Sequence, residues 1–240
     1  METLLTAENL TKHYKDVVAL DGVSFGISDG ITGILGENGA GKSTAIKIFL
    51  GLLRPTSGTA TVLGENASES IAVRSRLGYM PEHDCLPTGV TAAEFLTHMA
   101  EVSGLPPSRA RTRAADTLRH AGLFEERYRA MGGYSTGMKQ RVKLAQALVH
   151  DPTMVFLDEP TAGLDPRSRN ELWNVIRDLV RGGTTVLLTT QYLEEADQLA
   201  DRIAVIDRGS IIADGTPSQL KRRAGSEFIS VQAAEPEQLD

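Results

Sequence analysis

Hydrophobic and polar positions alternate in the first 30 residues of the chain. Val23, Phe25 and Ile27 fall on one side of a segment that is bounded by Asp21-Gly22 and Asp29-Gly30. A period of two is typical of a half-buried strand, and Asp-Gly pairs favour turns. We therefore expect an antiparallel β layer at the start of the chain.

Four short apolar runs follow this layer and are separated by segments with helical periodicity. The runs cover residues 31–35, 154–157, 184–190 and 203–206. Such runs, bounded by turn or charged residues, are typical of strands that are buried on both faces. Because they alternate with helices, the pattern predicts an α/β protein with a parallel sheet. The helix after Asp165-Pro166 is expected to pack on this sheet.

Residues 91–150 show helical periodicity only. The segment opens with Thr91 and Glu94, which form a capping-box pattern, and Pro106-Pro107 separates two of its helices. We interpret the segment as a helical subdomain that is inserted into the α/β core.

The last part of the chain carries weaker signals. Asp207-Arg208-Gly209 lies between two apolar runs and predicts a hairpin, and Thr216-Pro217 predicts the start of a last helix. After Gly225, residues 227–232 have the character of a strand, and the acidic residues that follow predict a frayed tail.

Composition places the chain among ordinary globular proteins. Of its 240 residues, 41% are hydrophobic and 23% are charged. The apolar runs are shorter than the roughly 18 to 20 residues that span a bilayer, and the N-terminus lacks a signal-peptide pattern, so we expect a cytoplasmic protein. Cys85 is the single cysteine, which excludes an internal disulfide. A net charge of −6 argues against nucleic acid as a partner.

A glycine-rich segment between a predicted strand and a predicted helix is the strongest chemical signal. It satisfies the P-loop pattern G-x-x-x-x-G-K-[ST]. Its glycines let backbone N–H groups surround a polyphosphate, Lys42 adds a positive charge, and the Ser43 hydroxyl can ligate Mg²⁺. The candidate phosphate-binding residues are Gly36, Glu37, Asn38, Gly39, Ala40, Gly41, Lys42, Ser43 and Thr44.

Two carboxylates end the apolar run at 154–157. Asp158 and Glu159 are expected at the carboxyl end of a sheet strand, where ligands of open α/β sheets bind. Asp158 can hold Mg²⁺, and Glu159 can position or deprotonate the attacking water. A P-loop with these carboxylates does not by itself choose between kinases, GTPases and motor-like ATPases.

A third sequence motif distinguishes between these classes of P-loop protein. Tyr134-Ser135-Thr136-Gly137-Met138 precedes an amphipathic helix and stands shortly before Asp158. This order of elements resembles the ATP-binding subunits of ABC transporters, and the Ser-x-Gly stretch resembles their signature loop. The resemblance covers residues 4–222. We find no Asn-Lys-x-Asp stretch for guanine selection, which argues against a GTPase.

The resemblance implies a P-loop NTPase fold with a RecA-like parallel core. It implies that Tyr14 stacks on adenine and that Ser135 and Gly137 contact the nucleotide of the opposite subunit. Two ATP molecules would then lie in a head-to-tail homodimer, or between this chain and a paired ATPase subunit. Transport would require a separate transmembrane permease subunit. The resemblance assigns residues 1–85 and 151–224 to the ATP-binding core, 86–150 to the helical subdomain and 225–240 to a tail.

Four positions, which lie in three motifs, depart from the family pattern. Thr136 and Met138 stand where the signature usually has Gly and Gln. Glu82 replaces a usual Gln and would offer a carboxylate to Mg²⁺ and water. Gln191 replaces a usual His at the γ-phosphate; its amide can donate a hydrogen bond but cannot titrate. The combination of Tyr-Ser-x-Gly-Met, Pro81-Glu82 and Thr-Gln-Tyr-Leu-Glu-Glu-Ala-Asp resembles that of the ATPase subunits of bacterial drug and antibiotic-resistance exporters, which have separate membrane subunits.

Two alternatives to a transport ATPase stay open on the sequence alone. One is a non-transport ABC-type ATP-binding module, which the single P-loop and the acidic charge disfavour. The other is a regulatory or slowly hydrolysing subunit, which the Gln191 substitution favours.

Overall fold

The computed structural model describes residues 3–223 and residue 225. The predicted strand at 227–232 and the acidic tail therefore lie outside the described residues. The strands are β1 (Leu5–Tyr14), β2 (Val17–Ile27), β3 (Ile31–Leu35), β4 (Ser57–Val62), β5 (Leu77–Met80), β6 (Met154–Asp158), β7 (Thr185–Thr190), β8 (Arg202–Asp207) and β9 (Ser210–Gly215). The α-helices are α1 (Lys42–Phe49), α2 (Ile71–Arg74), α3 (Ala92–Val102), α4 (Pro107–His120), α5 (Thr136–Leu148), α6 (Pro166–Arg181), α7 (Leu193–Leu199) and α8 (Pro217–Arg223).

The central sheet has the strand order β5-β6-β7-β3-β8-β9. Its first five strands are parallel, and β9 returns antiparallel through the predicted hairpin. Every residue of β6 and β7 is buried, as expected for strands with helices on both faces. Asp158 pairs with Thr189, and Leu35 pairs with Thr190, so the carboxyl ends of β3, β6 and β7 meet at one edge. The predicted α/β core with a parallel sheet is confirmed.

A three-stranded antiparallel sheet, in the order β2-β1-β4, forms the predicted second layer. Helix α1 contributes to the core shared with this layer, where Phe49 lies edge-on to Phe25 with ring centroids 5.7 Å apart. The patterns above did not predict β4. Val62 is its one fully buried side chain, and it pairs with Leu5 of β1.

The helical segment has an apolar core of its own. Leu96 of α3, Leu118 of α4 and Val142 of α5 are fully buried in it. The predicted capping box is present: Glu94 N–H donates to Thr91 Oγ1 at 3.2 Å, and Thr91 N–H donates to Glu94 Oε2 at 2.9 Å.

Helix α5 joins the two parts of the molecule. Its Val142 and Ala145 belong to the helical core, whereas Leu144 and Leu148 pack with the central sheet. The N-terminus of α5 carries Ser135, and its C-terminus leads into β6. One continuous helix therefore connects the signature loop to the central sheet.

Within residues 3–223, no helix is both long and apolar enough to span a bilayer.

Candidate active site

The loop at residues 36–41 connects β3 to α1 and is pressed against its neighbours. A Cβ at Gly36 would lie 2.4 Å from the Ile206 carbonyl oxygen, and one at Gly41 would lie 2.4 Å from that of Ala19. Gly41 also has a φ of +110°, which disfavours any other residue. On the opposite side, a Cβ at Gly39 would meet no atom within 4 Å. The loop is thus tightly backed, and it presents backbone and the α1 N-terminus to open space, as anion binding requires.

Lys42 is the first residue of α1 and is only 5% exposed. Its Nζ donates to the carbonyl oxygens of Gly36 at 2.7 Å and Glu37 at 3.1 Å. It also forms an ion pair with Glu159 Oε1 at 3.0 Å. The ammonium group therefore lies between the glycine-rich loop and the second carboxylate of β6.

Asp158 ends β6 and is buried. Its Oδ1 accepts hydrogen bonds from Ser43 Oγ at 3.1 Å and from Thr189 Oγ1 at 2.6 Å. A hydroxyl of α1 and a carboxylate of β6 are thus adjacent, although they are 115 positions apart in sequence. Oxygen atoms of this kind are the ligands that Mg²⁺ prefers.

Glu159 has a φ of +49°, in the left-handed region that non-glycine residues rarely adopt. Its N–H donates to Thr189 Oγ1 at 3.2 Å, and its Oε2 accepts from the Gln191 N–H at 3.3 Å. Burial raises the pKa of the Glu159 carboxyl, and the contacts with Lys42 and with the Gln191 N–H partly offset this shift. A raised pKa makes the ionised carboxylate a stronger proton acceptor.

A cleft of about 270 Å³ opens above these groups. It contains most of the predicted P-loop residues, together with Glu82 and Glu159. The lining residues are Val17, Ala19, Asn38, Gly39, Gly41, Lys42, Ser43, Thr44, Glu82 and Glu159.

Glu82 reaches this cleft from the loop after β5. Its backbone carbonyl accepts a hydrogen bond of 2.8 Å from the buried Nζ of Lys143 on α5. Burial lowers the pKa of Lys143, and nearby acidic groups, Glu82 among them, oppose that shift. Lys143 is not predictable as a buried residue from the sequence, because a lysine in an amphipathic helix normally indicates a solvated face.

Tyr14 and Gln191 lie at the margin. Tyr14 is 43% exposed, and it pairs in register with Val17, which lines the cleft. The Lys12 ammonium lies 5.3 Å from the centroid of the Tyr14 ring. The Gln191 residue is exposed and reaches Glu159 through its backbone N–H.

Ser135 and Gly137 are not among the residues that line the cleft. Ser135 is exposed and caps α5, with its Oγ accepting from the Met138 N–H at 3.3 Å. A Cβ at Gly137 would lie 3.2 Å from Ser168 Oγ, in the first turn of α6. Within one chain, the signature loop therefore packs beside α6 and does not line the P-loop cleft.

Comparisons with known proteins decide the family. A sequence model described as ABC transporter matches residues 20–162, which is more than half of the chain. This chain belongs to the ABC transporter family. The predicted family and fold class are thereby confirmed.

Relatives of this ABC protein include ATP-binding proteins named for drug resistance and export. It is 47% identical over 230 residues to the daunorubicin/doxorubicin resistance ATP-binding protein DrrA of Streptomyces peucetius, covering 95% of this chain and 70% of that protein. It is 39% identical to the Nod factor export ATP-binding protein I of Burkholderia orbicola, covering 96% of this chain and 77% of that protein. The predicted similarity to the drug-exporter branch is confirmed.

Solved structures of ATP-binding subunits have the same fold. One ATP-binding subunit of an ABC transporter superimposes with a TM-score of 0.81 at 30% identity, covering 93% of this chain and 94% of that one. The cbiO1 subunit of Clostridium perfringens gives a TM-score of 0.85 at 28% identity, covering 93% of this chain and 92% of that one. This ABC protein is accordingly an ATP-binding subunit that hydrolyses ATP to power transport by a separate membrane permease.

Proposed function

We propose that this subunit hydrolyses Mg-ATP in the cleft around Lys42 and drives export by its permease. The observation that carries the proposal is the convergence of Lys42, Ser43, Asp158 and Glu159 within hydrogen-bond or ion-pair distance. Phosphoryl transfer is catalysed mainly by positioning and charge stabilisation, and this cluster supplies both.

Residues 36–44 bind the phosphates through their N–H groups and through Lys42. Ser43 and Asp158 supply oxygen ligands for Mg²⁺, and Glu82 supplies a further carboxylate from the cleft wall. When bound, Mg²⁺ neutralises charge on the β- and γ-phosphates.

Glu159 accepts a proton from the attacking water. The water oxygen forms a bond to the γ-phosphorus as the bond to the bridging oxygen of ADP breaks. The Gln191 N–H keeps the Glu159 carboxylate in place, and the Gln191 amide donates to a γ-phosphate oxygen. Tyr14 stacks on adenine from the β1–β2 turn beside Val17.

The dimer is head-to-tail, with Ser135 and Gly137 of each subunit contacting the nucleotide of the other. The position of these residues outside the cleft of their own chain supports this arrangement. A homodimer or a pairing with a second ATPase subunit places two ATP molecules at the interface.

The drug-resistance and Nod-factor-export names of the relatives support transport outwards. The subunit works at the inner face of the cell membrane, held there by its permease. Residues 1–85 and 151–224 form its ATP-binding core, and residues 86–150 form the helical subdomain.

The decisive measurement is Mg²⁺-dependent ATP hydrolysis by the purified chain over a range of protein concentrations. A dimeric site predicts turnover that rises more steeply than linearly with protein. Glu159→Gln should lower turnover by about 10²- to 10⁴-fold, the usual contribution of a general base. This variant should still be stabilised by ATP, since the phosphate-binding residues are intact.

A chain that is stabilised by ATP but shows no turnover would instead be a regulatory subunit. Turnover that does not depend on Glu159 would contradict its assigned role.

A further inference from the structure

A fully buried carboxylate lies behind the cleft. Glu195 of α7 is 0% exposed, and its Oε1 accepts a hydrogen bond of 3.1 Å from the indole Nε1–H of Trp173 on α6. Trp173 is also buried. A buried carboxyl group without hydrogen-bond partners costs free energy, so packing of α6 against α7 that keeps this hydrogen bond is favoured.

Two threonine side chains adjoin the same carboxylate, and both belong to segments that flank Glu159. Thr161 lies two residues after Glu159, and Thr190 immediately precedes Gln191. Burial is the main influence on Glu195 and raises its pKa, whereas Thr190, Thr161 and Trp173 favour the charged form.

Thr161 Oγ1 and Glu195 Oε2 are both buried, and neither has a hydrogen bond of good geometry within the described part of the chain. A small movement that joins the two atoms would satisfy both.

These contacts converge on Glu159. Its carbonyl oxygen accepts from the Ala162 N–H at 3.1 Å, which sets the turn that contains Thr161. Its Oε2 accepts from the Gln191 N–H at 3.3 Å, next to Thr190. A displacement of either segment relative to α6 therefore changes the position of the Glu159 carboxylate.

We infer that Glu195 is a positioning residue. It holds the Thr161 turn and the end of β7 against Trp173. In this arrangement the Gln191 N–H stays directed at Glu159. This inference rests on the proposed role of Glu159 in hydrolysis. Glu195 itself is not among the residues that line the cleft, and its 3.1 Å hydrogen bond goes to Trp173, which does not line it either.

The test uses Glu195→Leu, which removes the acceptor of the Trp173 N–H, and Glu195→Gln, whose amide oxygen keeps an acceptor. Glu195→Leu should lower kcat about tenfold while the KM for ATP changes less than about twofold, because the phosphate loop is untouched. Glu195→Gln should retain most of the activity. Glu194→Gln is the matched control, since Glu194 is the adjacent but exposed carboxylate.

A spectroscopic readout is available because Trp173 is the only tryptophan in the chain. Acrylamide should quench the emission of Trp173 about twofold more efficiently in Glu195→Leu than in the wild type, with Glu194→Gln unchanged. If Glu195→Leu does not fold, Trp173→Phe removes the N–H donor and keeps a ring, and it should lower kcat about threefold at constant KM.

An unchanged kcat in Glu195→Leu, or in Trp173→Phe where Glu195→Leu does not fold, would overturn the inference. A loss of kcat that only follows the fraction of folded protein would overturn it too. Failure of the proposed function is distinguishable from failure of this inference. The first would appear as full activity of Glu159→Gln. Quenching of Trp173 would still report whether Glu195 holds the segments around Trp173 in place.

Discussion

The P-loop cleft and the signature loop are constructed in opposite ways. In the cleft, Lys42, Asp158 and Glu159 are buried and hydrogen-bond to groups of the same chain. At the signature loop, Ser135 and Thr136 are exposed, and the α5 N-terminus faces outwards. The first region has its hydrogen-bond and ion-pair partners within the chain, whereas under the proposed function the second contacts the nucleotide of another subunit. The difference predicts that ATP binding and ATP hydrolysis can be separated by mutation.

The largest effect on ATP binding is expected from Lys42→Ala. The substitution removes the ammonium that pairs with Glu159 at 3.0 Å and would contact the outer phosphates. We expect ATP affinity to fall roughly 10- to 100-fold, as for the loss of a charged hydrogen-bond partner. The stabilisation of the chain by ATP in a thermal melt should fall with it. Normal stabilisation by ATP would show that the cleft does not depend on Lys42.

Ser135→Arg should give the opposite result. A bulky cation at the exposed start of α5 obstructs a facing subunit but leaves the cleft of its own chain intact. ATP should therefore stabilise this variant as it does the wild type, while hydrolysis falls by at least about tenfold because each dimer site lacks its second half.

Sedimentation velocity in the Glu159→Gln background measures the dimer directly. Adding Ser135→Arg should abolish ATP-dependent dimerisation, and Ser108→Arg, at an exposed serine of α4, should not. Hydrolysis that survives Ser135→Arg would mean that the signature loop has no role across an interface.

The cleft was more predictable from sequence than the layer that supports it. A Cβ at Gly36 or Gly41 would lie 2.4 Å from a backbone carbonyl oxygen, so both positions require glycine. The glycines of the motif therefore indicate how the loop is packed. Asp158 and Glu159 follow an apolar run whose carboxyl end is fixed by sheet topology. Strand β4, in contrast, exists through its pairing with β1, where Val62 lies opposite Leu5, and no local alternation indicates it.

Buried polar contacts were the other feature that the sequence did not reveal. Glu195 and Lys143 both lie in helices, where a charged residue normally indicates solvent. Their partners, Trp173 and the Glu82 carbonyl, are 22 and 61 positions away. Such pairs depend on how helices pack on the sheet, which periodicity does not determine.

A smaller effect is expected at the edge of the cleft, from Gln191. Gln191→Ala removes one proposed hydrogen bond to a phosphate oxygen and should slow hydrolysis about tenfold. Because an amide does not titrate, the wild-type rate should show no inflection near pH 6.5 that depends on residue 191, whereas Gln191→His should introduce one. His83 follows Glu82, so the pH profiles are compared with those of His83→Gln. A wild-type inflection near that pH that Gln191→Ala abolishes would contradict the assignment.

The smallest and most discriminating change is Gly137→Ala. The added Cβ would lie 3.2 Å from Ser168 Oγ, so the two side chains must adjust by a few tenths of an ångström. Alanine also has a higher helix propensity than glycine, which opposes the cost of this close contact. We therefore expect the free energy of unfolding to stay within about 1 kcal/mol of the wild-type value, which corresponds to about 2–4 °C in Tm. Hydrolysis should fall roughly threefold, because the Cβ weakens a backbone hydrogen bond to the partner's nucleotide.

Adding Ser168→Gly to Gly137→Ala relieves the contact inside the chain. If hydrolysis then recovers, the signature loop acts through α6 of its own subunit; if it stays low, Gly137 is required by the facing ATP, as the outward position of the loop implies.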